Sequence, residues 1–127
     1  MRALVIDDSR AMRRIVTSIL EGLGYEVRDA GHGREGLDVL DEGWIPDLCT
    51  VDWNMPVMDG LQFVSAVRSN PAYRPVTIMM VTSESEHTQI VKALAAGAHE
   101  YVIKQFTADA IRDKLALLGL LHEGAAL

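Results

Sequence analysis

Short apolar runs alternating with helical stripes constrain this chain more than any other feature. Residues 2–6, "RALVI", are apolar and partly β-branched, and Asp7 and Asp8 stop them, as at the end of a buried strand. Met12, Ile15, Val16, Ile19, Leu20 and Leu23 then recur at spacings of three and four, which predicts a helix over residues 10–22. Ser9 is its N-cap, and Gly22 and Gly24 are its stop signals. "YEVRDA" alternates like an edge strand, "GREGLDVLDEG" reads as a short helix and "DLCTVD" as a third strand. "GLQFVSAVRSN" is a helix that must end before Pro71. "PVTIMMVTS", "EHTQIVKALAAG", "EYVIK" and "TADAIRDKLALLGLL" supply strand, helix, strand and a final helix capped by Thr107.

Five strands alternating with five helices predict an α/β fold whose parallel strands are joined by right-handed crossovers. The apolar first, third and fourth strands should be central, and the second should lie at an edge. With 127 residues the chain has the size of one domain, and its composition, 49% hydrophobic and 24% charged, is that of an ordinary globular protein. One cysteine, Cys49, leaves no internal disulfide and no Cys/His metal spacing. The first apolar run is too short for a signal segment, so a cytoplasmic location without membrane insertion is expected. A net charge of −6 argues against nucleic acid as a partner, because counterion release needs a positive surface. Arg10, Arg13 and Arg14 lie close together and are read as a solvated helix face.

Ligands of open parallel sheets bind beyond the carboxyl ends of the strands. There this sequence places Asp7 and Asp8, Asp52, Thr82 with Ser83, and Lys104. Clustered carboxylates repel and call for a cation, and an all-oxygen set suits hard Mg²⁺, with Mn²⁺ as a substitute. A carboxylate can then act as nucleophile toward phosphorus, while a hydroxyl and an ammonium receive the gathering negative charge. The pattern points to a Mg²⁺-assisted phosphoryl acceptor.

In order and spacing, "VIDDSRAMRRIV", "VDWNMPVMDG", "VTSESE" and "EYVIK" resemble the motifs of response-regulator receiver domains, most of all the stand-alone chemotaxis type. The resemblance implies a flavodoxin-like sheet of order 2-1-3-4-5, a receiver domain over residues 1–121, a short tail over 122–127 and no output domain. It implies Asp52 as phosphoacceptor, Asp8 as direct metal ligand, Asp7 acting largely through metal-bound water, and the Asn54 backbone carbonyl as a third protein ligand. Thr82 would follow the phosphoryl group, Lys104 would pair with it, and Tyr101 would be the aromatic switch whose ring turns inward. Asn54 and Glu84 would set the lifetime of the acyl phosphate. The implied partners are a sensor histidine kinase or small phosphodonor, a flagellar motor switch protein and a phosphatase, with the chain itself a monomer. The protein would be a signalling phosphoacceptor rather than an enzyme, although it phosphorylates itself from phosphodonors and loses the group by its own hydrolysis. A phosphorelay shuttle or a phosphate sink outside motility is the alternative.

Two positions depart from the pattern. Gln105 stands where a cis proline is usual, and a cis bond to a non-proline costs about 2.5–4 kcal/mol, so a trans or strained Lys104–Gln105 peptide is expected. The approach of Lys104 to the phosphate is then in question. Ser83 replaces a smaller residue, which either slows the entry of water or phosphodonor or is neutral. A haloacid-dehalogenase-type phosphatase is disfavoured, because it needs a general acid two residues beyond the nucleophile and Asn54 cannot serve. Met55, Met58, Met79 and Met80 are read as packing residues, Trp53 as a lid and fluorescence reporter, and His32, His87, His99 and His122 as surface residues.

Overall fold

The computed structural model describes residues 1–83, 87–104 and 106–121. Its strands are β1 (Arg2–Ile6), β2 (Glu26–Ala30), β3 (Leu48–Val51), β4 (Thr77–Thr82) and β5 (Glu100–Ile103). Its helices are α1 (Arg10–Gly22), α2 (Gly33–Asp41), α3 (Gly60–Ser69), α4 (His87–Ala96) and α5 (Ala108–Leu117). All neighbouring strands pair in parallel, in the order β2-β1-β3-β4-β5. The expected doubly wound sheet is therefore present, with β2 at one edge and β5 at the other.

Alternation along the central strands divides the core into two layers. Leu4, Ile6, Cys49, Val51, Ile78 and Met80 face the side covered by α2, α3 and α4. Ala3, Val5, Leu48, Met79 and Val81 face the other side, against α1 and α5. Met79 and Met80 are fully buried, and Met55 and Met58 pack against the first layer, in keeping with their reading as packing residues. The helix starts also follow the sequence signals. Ser9 accepts from the Met12 N–H and Thr107 from the Ala110 N–H, while Asp59 and Gln62 form a reciprocal capping box at α3.

Two features were not foreseen. After α3 the chain makes a short 3-10 turn over Pro71–Tyr73, begun by Asn70, whose side chain accepts from the Ala72 N–H. Polar side chains also close the sheet edge opposite the strand carboxyl ends. Arg68 donates to the carbonyls of Gly97, Tyr73, Arg74 and Val76, and His99 Nδ1 accepts from the Ile78 N–H. His99 thus lies at the surface as expected but satisfies a strand amide, and His32 caps α2 by accepting from Glu35. No helix among the described residues is long and apolar enough to cross a membrane.

Candidate functional site

Strand register builds the site. Ile6 is paired with Val51, so the residues that follow, Asp7 and Asp52, leave adjacent strands side by side. Thr82 is paired with Ile103, which puts Lys104 next to the end of β4, where its N–H donates to the Thr82 carbonyl at 2.8 Å. Carboxylate oxygens of Asp7, Asp8 and Asp52 lie within 4.8 Å of one another. Asp7 and Asp52 are buried, while Asp8 is exposed at the mouth.

Lys104 reaches this cluster. Its Nζ stands 3.2 Å from Asp7 Oδ2 and 3.3 Å from Asp52 Oδ1, with its side chain only 19% exposed. Lys104 thus reaches the carboxylates, while Gln105 and Glu84 lie outside the described residues. Burial works against the charge on Lys104, but Asp52 and Asp7 outweigh it and hold the ammonium above its ordinary pKa. Asp52 responds in the opposite sense. Burial, then the negative charge of Asp7, push its carboxyl up to about 6, against the pull of Lys104 and of the Trp53 N–H, which donates to Asp52 Oδ1 at 2.9 Å.

One ammonium facing three carboxylates leaves the cluster short of positive charge, and every available donor is a hard oxygen. This set fits a divalent cation of the Mg²⁺ type, held by one or two carboxylates and several waters. Asp7, Asp8 and Asp52 would hold it. Asn54 stands two residues beyond Asp52, exposed on the loop that leads to α3.

That loop is tightly specified. Val57 has left-handed backbone at φ 67, and the Met58 N–H donates back to the Pro56 carbonyl at 2.7 Å across it, a strained γ-type turn. Such strain in a β-branched residue that is 76% exposed persists only where the surroundings hold it. The Gly33 N–H donates to the Met58 carbonyl at 3.1 Å, and the Gly60 N–H donates to the Trp53 carbonyl at 2.9 Å. A Cβ on Gly60 would collide with the Asp52 carbonyl oxygen and stand 3.1 Å from Trp53 Cα. Gly60 therefore does more than begin a helix, since its lack of a side chain lets the loop close under Asp52.

Arg13 is also more than a solvated residue. Its side chain is 18% exposed, its Nη1 donates to the Asp7 carbonyl at 2.6 Å and its Nε to Asp29 Oδ2 at 3.0 Å. The guanidinium clamps the end of β1 to β2. Its three-residue spacing from Arg10 puts the two on one side of α1, and only the β2 register brings Asp29 within reach of Arg13.

Away from the carboxylates, Thr82 and Tyr101 line one small cavity with Trp53, Met80, Gln89, Ile90, Ala93 and Leu94. Thr82 is buried, Tyr101 half-buried and Ser83 exposed. Lys114 Nζ sits 4.8 Å from the centre of the Tyr101 ring. It is tethered there by Glu100 Oε1 at 3.0 Å, which also accepts the Tyr101 N–H.

The sequence profile of the response regulator receiver domain matches residues 3–116. "Chemotaxis protein CheY1" of Helicobacter pylori is 40% identical over 119 residues, covering 93% of this chain and 96% of that protein. "Chemotaxis protein CheY homolog" of Campylobacter jejuni is 41% identical over 129 residues and covers 99% of each chain. Among solved structures, chemotaxis protein CheY4 of Vibrio cholerae superposes with a TM-score of 0.83 at 34% identity, covering 95% of this chain and 98% of its own.

Proposed function

We propose, because the chain belongs to the response regulator receiver domain family, that it is a cytoplasmic receiver phosphorylated on Asp52. The observation that carries this reading is the buried Asp52 carboxylate facing Lys104 Nζ at 3.3 Å inside the Asp7 and Asp8 cluster.

An Asp52 oxygen attacks phosphorus of a kinase's phosphohistidine or of acetyl phosphate; the P–O bond forms as the bond to imidazole or acetate breaks. The Trp53 N–H orients the carboxylate by holding Oδ1. Lys104 is already within ion-pair distance of the acceptor and neutralises charge on the incoming phosphoryl oxygens. Asp7, Asp8 and Asp52 would hold a Mg²⁺ ion, which would supply further charge neutralisation when bound. Thr82 donates its hydroxyl to the phosphoryl group. Ser83, exposed beside it, leaves the approach of donor and water open, with Asn54 and Glu84 setting the lifetime of the product. The phosphoryl group carries about −1.5 to −2 charge and replaces the −1 of the Asp52 carboxylate, a net gain of roughly −1 at most, so signalling needs a two-state element. Thr82 and Tyr101, which share a cavity, supply it.

The relatives named as chemotaxis proteins favour output at a flagellar motor switch protein. Binding of the purified protein to such a switch protein should tighten roughly 5- to 150-fold when beryllofluoride and Mg²⁺ mimic phosphorylation, the usual range of coupling between sites. Tyr101→Ala should remove most of that gain. Equal affinity with and without the mimic would leave a constitutive module, and no affinity in either state would favour a phosphorelay or sink role.

A further inference from the structure

Gln89, on α4, has a side-chain oxygen that is buried and has no hydrogen-bond partner among the described residues. Buried acceptors are rarely left dry, because the desolvated oxygen destabilises the state that contains it. The oxygen belongs to a residue lining the cavity between β4, β5 and α4, whose other walls include Thr82 and Tyr101. The cavity holds about 10 Å³, room for one group the size of water or a hydroxyl.

Three of the other lining side chains carry a donor: Trp53, Thr82 and Tyr101. Trp53 is held at its backbone, where its N–H donates to Asp52 Oδ1. Thr82 is the hydroxyl assigned to the phosphoryl group. Tyr101 is the group that moves, and at rest its ring lies under the Lys114 ammonium. Each of its two positions thus has a holding point of different chemistry: a cation on the α5 side and an orphaned amide oxygen inside.

We propose that Gln89 is a positioning residue whose Oε1 accepts the Tyr101 hydroxyl when the ring turns inward, and so sets what fraction of the protein reaches the active state. This rests on the reading of Thr82 and Tyr101 as the switch. At rest the oxygen has no protein partner among the described residues, and the Tyr101 hydroxyl supplies one when the ring turns inward, so the contact favours the active state.

The test uses the full chain with 3-fluorotyrosine, whose three positions, Tyr25, Tyr73 and Tyr101, are followed by fluorine NMR. Tyr101→Phe identifies the resonance. In the wild type, beryllofluoride with Mg²⁺ should shift the Tyr101 signal to an inward position. In Gln89→Leu the inward-to-outward ratio should fall roughly twofold to tenfold, as expected for one hydrogen bond. The gain in motor-switch binding should be no smaller in the Gln89→Leu, Tyr101→Phe double variant than in Tyr101→Phe alone. An unmoved wild-type signal would remove the switch itself. A wild-type shift that Gln89→Leu reproduces in full would overturn the role of Gln89.

Discussion

Asp52→Asn should be more stable than the wild type at pH 7 in the presence of a chelator. In the fold the Asp52 carboxyl stands at about 6, against 3.8 ordinarily. The folded state therefore binds this proton more tightly than the unfolded chain does. That contribution is present below about pH 4 and is lost as pH rises through about 6. At neutral pH the ionised carboxylate costs the fold roughly 2 units of about 1.4 kcal/mol each, about 3 kcal/mol. Asparagine keeps an oxygen for the Trp53 N–H and removes the charge. Chemical denaturation should show the variant gaining most of that 3 kcal/mol at pH 7 and nothing at pH 3.5. Adding Mg²⁺ should narrow the gap at pH 7, because the cation binds the ionised wild-type cluster. A variant less stable than the wild type at pH 7 would mean that the ion pair with Lys104, 3.3 Å away, outweighs burial and the charge of Asp7.

Gly60→Ala should be severely destabilising for a different reason. The new methyl group would meet the Asp52 carbonyl oxygen, with Met80 Cε 3.0 Å and Trp53 Cα 3.1 Å away. Two of these three neighbours are backbone and cannot rotate aside. Overpacking typically costs about 1–3 kcal/mol, and a clash against backbone belongs at the upper end, about 3 kcal/mol. Because the displaced oxygen belongs to Asp52 itself, phosphorylation should slow as well. Gly22→Ala is the control: nothing lies within 4 Å of a Cβ there, and replacing a helical glycine should gain up to about 1 kcal/mol. Equal stabilities for the two variants would mean that the loop under Asp52 is not packed this closely.

The parts of the site that lie on strand ends were legible because two local signals coincide there. An apolar run reports a buried strand, and the first polar residue after it reports what stands at the edge; Asp7, Asp52 and Lys104, which the structure brings together, are read in this way. The all-parallel topology followed from the alternation of elements, and strand order then brought those ends together. Residues acting across elements were not legible. Arg10, Arg13 and Arg14 carry the same charge on one turn, and only the β1–β2 register, which pairs Val5 with Asp29, selects Arg13 for burial. Gln89 reads as an ordinary polar helix residue until α4 is laid against β4 and β5. Gly60 resembles any glycine at a helix start, because the obstacle to a side chain is the carbonyl of a residue eight positions earlier. Pro71 was understood as a helix stop, yet the 3-10 turn that it begins depends on the Asn70 side chain capping it.

Intact-protein mass spectrometry after treatment with acetyl phosphate and Mg²⁺ tests the central claim most directly, with wild type and Asp52→Ala run in parallel. The wild type should gain one phosphoryl mass, lose it when a chelator replaces Mg²⁺ during the reaction, and show it on the peptide containing Asp52, while Asp52→Ala gains none. No added mass on the wild type, or an equal gain in both proteins, would contradict the assignment of Asp52 as the acceptor.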